Sequence, residues 1–136
     1  MADLSITATS VLASSAARRV VKDAASTVTA GQPVYLTTSG TVAPADANDS
    51  TKASVLGIAE NGGAAGQPIS VVTKDPAFAL GATVAIGDVL ILSATAGGIA
   101  PVADATTGDF VTVLGVAVST SAINLNPTAA GAAIVA

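Results

Sequence analysis

Val55-Leu56-Gly57-Ile58-Ala59 is a short run with no polar side chain and a glycine at its centre, and it returns as Val113-Leu114-Gly115-Val116-Ala117. Runs of this length that are apolar on both faces read as buried strands, and a glycine inside one marks a bulge or a close approach of another backbone. The surroundings repeat as well. Gly31-Gln32-Pro33-Val34-Tyr35-Leu36, Gly40 and Pro44-Ala45-Asp46 precede the first copy. Gly87-Asp88-Val89-Leu90-Ile91-Leu92, Gly97-Gly98 and Pro101-Val102-Ala103-Asp104 precede the second. The offset between matched glycines drifts only from 56 (Gly31 to Gly87) to 58 (Gly57 to Gly115), so two small loop insertions reconcile the copies. The pattern predicts a duplicated β unit, with Gly57 and Gly115 at equivalent places on central strands where a side chain would not fit.

The composition bounds what such a unit can be. A chain of 136 residues is one domain's worth. Hydrophobic residues make up 51%, yet the only aromatics are Tyr35, Phe78 and Phe110, so the core must be built from small aliphatics that bury little area each. Charged residues are 10%, against about a quarter in ordinary soluble domains. No membrane span accounts for this, because the longest nearly apolar stretch, Leu80 to Leu92, is broken by Gly81, Thr83, Gly87 and Asp88, and a spanning helix needs about 20 apolar residues. Met1-Ala2-Asp3-Leu4 lacks the basic-then-apolar order of a secretory signal. The expectation is therefore that other protein chains cover much of the surface, as in a homo-oligomer or a larger assembly. Cysteine and histidine are both absent, which removes disulfides, thiolate chemistry and the commonest general base and metal ligand. A net charge of −4 argues against nucleic acid as a partner.

Along the chain, residues 2–11 alternate, with Leu4, Ile6 and Ala8 on one side and Asp3, Ser5, Thr7 and Thr9 on the other. That is a period-two strand, either at the edge of this domain or as an arm lying on a neighbour. Residues 12–25 allow a helix (Leu12, Ala16, Val20) or a strand through Arg18-Arg19-Val20-Val21-Lys22-Asp23, and the strand is preferred because the other signals are β. Ala65-Gly66-Gln67-Pro68 repeats the turn Ala30-Gly31-Gln32-Pro33 letter for letter and opens a strand from Ile69 to Thr73. Lys74-Asp75-Pro76 reads as a break, residues 45–51 as a polar surface loop, and Ile123-Asn124-Leu125-Asn126 as the counterpart of Ile69-Ser70-Val71-Val72. The organisation expected is an N-terminal strand or arm over 1–26, a duplicated β domain over 27–127 (units about 27–73 and 84–126), and an apolar tail over 128–136. The fold class is all-β, a small β-barrel or β-sandwich with an extended N-terminal strand or arm.

Few residues are placed to carry chemistry. Asp46 and Asp104 occupy matching places, but both are turn sites where aspartate is locally favoured, and Asp88 and Asp109 read the same way. Serines are plentiful without a histidine to activate them, and Ser50-Thr51-Lys52 is a poor serine–lysine arrangement. Gly62-Gly63-Ala64-Ala65-Gly66 lacks the lysine of a phosphate loop. No catalytic residue, cofactor site or metal-ligand set is assigned, and a non-enzymatic role is expected. Arg18, Arg19 and Lys22 place three of the five cations within five positions. Such a cluster is either a solvated face or a docking strip for an acidic partner.

Taken in order, these phrases resemble the small capsid cement (head decoration) proteins of tailed phages. The residues that carry the likeness are Thr29-Ala30-Gly31-Gln32-Pro33-Val34-Tyr35-Leu36, Pro44-Ala45-Asp46, Val55 to Ala59, Ala65 to Pro68, Gly97-Gly98-Ile99, Pro101 to Asp104, Gly108-Asp109-Phe110 and Val113 to Ala117. They span roughly residues 27–127. The resemblance implies a protein made in the host cytoplasm that sits on the outer surface of the virion capsid. There it would bind the assembled major capsid protein, commonly as a homotrimer, and stiffen the shell. Leu4 and Ile6, in a segment that in such proteins reaches across neighbouring subunits, together with Arg18, Arg19 and Lys22, are the expected interface residues. The main alternative is another structural β subunit, of a phage tail, a fibre or a surface layer. A carbohydrate-binding module would want more surface aromatics than Tyr35, Phe78 and Phe110 supply.

Overall fold

Both glycine-centred runs form strands in the computed structural model, which describes residues 3–105 and 108–133. The strands are β1 (Val11–Leu12), β2 (Arg18–Asp23), β3 (Pro33–Leu36), β4 (Val42–Pro44), β5 (Val55–Ala59), β6 (Pro68–Leu80), β7 (Val89–Leu92), β8 (Ile99–Pro101), β9 (Phe110–Ala117) and β10 (Ala122–Ala133). The fold is all-β and its ladders are antiparallel; the only helical elements among the described residues are single 3₁₀ turns at Ala8–Ser10 and Val102–Asp104.

The duplication is visible in the hydrogen bonding. Along the main sheet the order is β4-β3-β5-β6-β10-β9-β7-β8, so β4-β3-β5-β6 and β8-β7-β9-β10 repeat one connectivity. In the first unit Val34 pairs with Gly57 and Tyr35 with Val55, skipping Leu56; in the second Leu90 pairs with Gly115 and Ile91 with Val113, skipping Leu114. Each unit thus carries the same bulge next to its glycine. A Cβ on Gly57 would fall 2.2 Å from the carbonyl oxygen of Val72, and one on Gly115 2.1 Å from that of Asn124. Each glycine is there to let the neighbouring backbone in.

The turns that open β3, β6 and β7 share one design. Gly31, Gly66 and Gly87 have φ of 93°, 86° and 92°, a region that suits glycine, and the side chain that follows accepts from the backbone three residues earlier. Thr29 N–H donates to Gln32 Oε1 (2.9 Å), Ala64 N–H to Gln67 Oε1 (2.7 Å) and Ala85 N–H to Asp88 Oδ2 (3.0 Å). Asp88 is therefore a turn residue, the carboxylate counterpart of the two glutamines.

Several expectations need correction. Lys74-Asp75-Pro76 is no break: β6 runs through it, because β2 pairs with β6 only as far as Lys74 while β10 takes over at Asp75. Pro76 lies where the ladder changes partner, so its missing N–H costs little. Pro127 plays the same part in β10, at a register shift between Leu125 and Thr128. The tail expected over 128–136 is accordingly a strand to Ala133 paired with β9, and residues 134–136 lie outside the described residues. Ile123 stands opposite Ala117 as Val71 stands opposite Ala59, so Ile123 matches Val71, two positions later than the sequence comparison suggests. The loop at 45–51 is half inside, since Ala45, Ala47 and Ala53 are buried against Leu92. Within residues 12–25 a strand does form, β2 over Arg18–Asp23, but of the described residues 3–11 only Val11 enters a ladder.

Each unit curls into a half-barrel around β6, which contributes its first half to one and its second half to the other. The first is β2-β6-β5-β3-β4, filled by Val28, Val34, Val42, Ala59, Ile69 and Val71. Its open edge is bridged where Ala25 N–H donates to Val42 O (2.7 Å). The second is β6-β10-β9-β7-β8, filled by residues including Phe78, Leu80, Leu90, Ile99, Leu114, Ile123 and Leu125. Its edge is bridged where Leu4 N–H donates to Ile99 O (2.8 Å), and Ile99 is the counterpart of Val42. The outer face of the first unit, at Ile58 and Val72, packs into this second core.

Candidate interaction surfaces

The N-terminal segment keeps the alternation read from its sequence, with Leu4, Ile6 and Ala8 half-buried between exposed neighbours. Leu4, Ile6 and Val11 pack against the second core of their own chain, so the side chains expected at a subunit interface serve intramolecular closure here. The segment is fastened at intervals: the Ser93 hydroxyl donates to Asp3, Thr7 N–H donates to Gly81 O (2.8 Å), and Val11–Leu12 pairs with the end of β6. The last fastening is Asp75, which is fully buried where β6 changes partner. It accepts from the Ser14 hydroxyl, from Ser14 N–H (2.7 Å) and from Ala77 N–H (3.0 Å). Burial pushes this carboxyl up, but the bonds from Ser14 and Ala77, with the Arg19 charge, outweigh it and hold Asp75 below the ordinary carboxylate value.

The cationic strip is strand β2, and its three cations have different fates. Arg19 Nε makes an ion pair with Glu60 Oε2 at 2.6 Å, and the same carboxylate oxygen accepts from the Ser70 hydroxyl. Arg19 is thereby committed within the fold. Arg18 is exposed and Lys22 half-buried, and neither is ion-paired among the described residues. The strip that can face a partner is Arg18, Val21 and Lys22 along an edge strand.

Two clefts border the N-terminal segment. One of about 410 Å³ is lined by Ser5, Thr7, Ser10, Thr83 and Ser121 with Ala79, Gly81 and Ala82, and no ionisable side chain lines it. The other, about 240 Å³, holds Asp3, already bonded to Ser93, beside Gln32. Neither brings an acid and a base together. Among the described residues no three carboxylates gather where a metal ion would fit. Asp46 bonds Asn48 N–H at 2.9 Å in a local turn, and Asp104 ends the 3₁₀ turn Val102–Asp104. Of the aromatics, Phe78 is buried and Tyr35 and Phe110 are half-buried.

Sequence reasoning missed two things. Asp75 was hidden inside a turn-like tripeptide whose partner, Ser14, lies 61 residues away. An exposed aliphatic wall on the second unit, including Val116, was also missed; the change from Val72 to Asn124 at matched positions is the signal that marks it. A scan against protein-family models and a search of curated proteins found no match to this chain.

Proposed function

We propose that the chain is a structural, adhesive protein: a cement or decoration protein that binds the outside of an assembled tailed-phage head and stabilises its major capsid protein lattice, acting as a homo-oligomer with a trimer favoured. The observation that carries this reading is the ordered set of phrases shared with such proteins, which here fall on turns and strands throughout the duplicated unit, Thr29 to Gln32 and Gly97-Gly98 lining the smaller cleft as well. Support comes from the kind of surface displayed. A mostly uncharged β exterior with a cationic edge suits broad protein contact, and a thin aliphatic core gains when binding favours the folded form by mass action.

The test is co-sedimentation of the purified chain with mature, expanded shells of the phage from which it comes. Saturable binding is expected, and absence of binding removes the reading. Replacing Arg18 and Lys22 together by Glu is expected to weaken binding at least tenfold while the β circular-dichroism spectrum is kept. Arg19 is left in place because it holds Glu60. Immunogold label on a tail or fibre would move the protein to the alternative structural class.

A further inference from the structure

The duplication leaves one strand edge covered in the second unit and bare in the first. Val71 stands opposite Val20 and Ala59, and Ile123 opposite Phe78 and Ala117, so the second half of β6 is the counterpart of β2. In this register Ala79 and Leu80 match Val21 and Lys22. Ala79 and Leu80 pair on their outer side with Leu12 and Val11 of β1, so an extended stretch of chain closes that edge. Among the described residues β2 pairs with β6 alone, apart from a bridge between Ala24 and Val42 just past its end. Ala24 N–H donates to Gln67 O and Ala24 O accepts from Gly66 N–H, so by alternation the N–H and C=O of Val21 and Asp23 point away from β6. The charge on this edge is out of keeping with the chain. Arg18 and Lys74 are direct partners across the β2–β6 ladder, and both are exposed. With Arg19 and Lys22 they are four of the five cations of a protein whose net charge is −4. Arg19 is taken by Glu60, but among the described residues neither Arg18 nor Lys74 has an ion pair.

We propose that the outer edge of β2 receives an extended, acidic segment of a partner protein as an added strand, with a carboxylate set between Arg18 and Lys74. Strand addition takes its affinity from main-chain bonds, here at Val21 and Asp23, and its selectivity from side chains along the edge. Like charges directly opposite in a ladder destabilise it, and a carboxylate between them removes the repulsion and makes charge-assisted bonds. Asp23, the one acid of β2, lies at the other end of the strand from Arg18. The occupant is not an end of a second copy, because residues 1–17 hold one acid, Asp3, already bonded to Ser93, and residues 118–136 hold none. The inference rests on the adhesive reading above for there being a protein partner, and not on that partner's being a phage shell.

The test titrates a peptide alternating glutamate and valine into the full chain, followed by backbone NMR. A lysine–valine peptide, and the glutamate–valine peptide N-methylated along its backbone, are the controls. Saturable binding of the acidic peptide is expected, with amide exchange slowed at Val21 and Asp23. Val21→Pro removes an outward donor and spares the β6 ladder, and should weaken binding at least tenfold. Lys74→Glu sets opposite charges across the ladder, and should weaken binding at least tenfold while the melting midpoint is kept or raised. This second variant keeps the proposal testable should Val21→Pro unfold. No saturable binding, equal binding of either control, or binding without protection at Val21 and Asp23 overturns the proposal. Binding that Lys74→Glu leaves unchanged overturns it too. A chain that takes the peptide but no shells upholds this edge and removes the shell reading alone, whereas one that takes shells but no peptide does the reverse.

Discussion

Gly57 and Gly115 mark the places where two backbones come closest, and they set the sharpest expectations for single substitutions. Alanine at either would put a methyl group about 2 Å from a carbonyl oxygen that belongs to a ladder and cannot turn aside. Each Gly→Ala change should cost at least ~1–3 kcal/mol, the scale of an overpacked core, read from urea denaturation midpoints. Asp75 sets a second. In Asp75→Asn the amide nitrogen would face the Ser14 N–H, donor against donor, and the loss at pH 7 should be about 2 kcal/mol, the worth of hydrogen bonds to a buried charge. Because the native carboxyl lies below its ordinary value of 3.8, its contribution is complete above that value and is lost as the pH falls through the native one. Urea midpoints of the unaltered chain and the variant should therefore differ at pH 7 and 5 and converge below pH 3.8. The glycines were legible because a glycine flanked by aliphatics has few other meanings. Asp75 was not, since Lys-Asp-Pro has the composition of a turn and nothing local reveals Ser14.

Among the elements, the turns were the most readable, for the conformation of a glycine-containing turn is decided by neighbours in sequence. Gly66 isolates that conformational requirement: nothing lies within 4 Å of where its Cβ would be, so Gly66→Ala probes backbone strain alone. A loss of about 1–2 kcal/mol is expected from its positive φ, and an unchanged melting midpoint would mean the turn relaxes. The long strands were the least readable. Pro76 and Pro127 look like terminators, and only the ladder shows that each lies where pairing shifts or changes partner. The N-terminal segment illustrates the same limit. Its alternation predicted one buried face correctly, but whether the face met this chain or another depended on where Ile99 and Gly81 come to lie.

At the scale of the molecule, the repeat predicted two equivalent units but not how they stack. Equivalent sequences suggest equivalent environments, yet Ile58 is enclosed and Val116 is not, because the second unit lies against one wall of the first and none of the described residues closes off the same wall of the second. The arrangement of β6 has a consequence for how the chain unfolds. Since one continuous strand supplies a wall to both half-barrels, neither core can open without stripping partners from the other. The molecule should melt as a single cooperative unit despite its two cores, with calorimetric and van't Hoff enthalpies in agreement. Its contacts join residues far apart in sequence, as the pairing of Val11 with Leu80 and Arg18 with Lys74 shows, so refolding should be slow for its length, in the millisecond-to-second range. A chain that must wait for both ends of β6 before either half holds is one that exists whole or not at all.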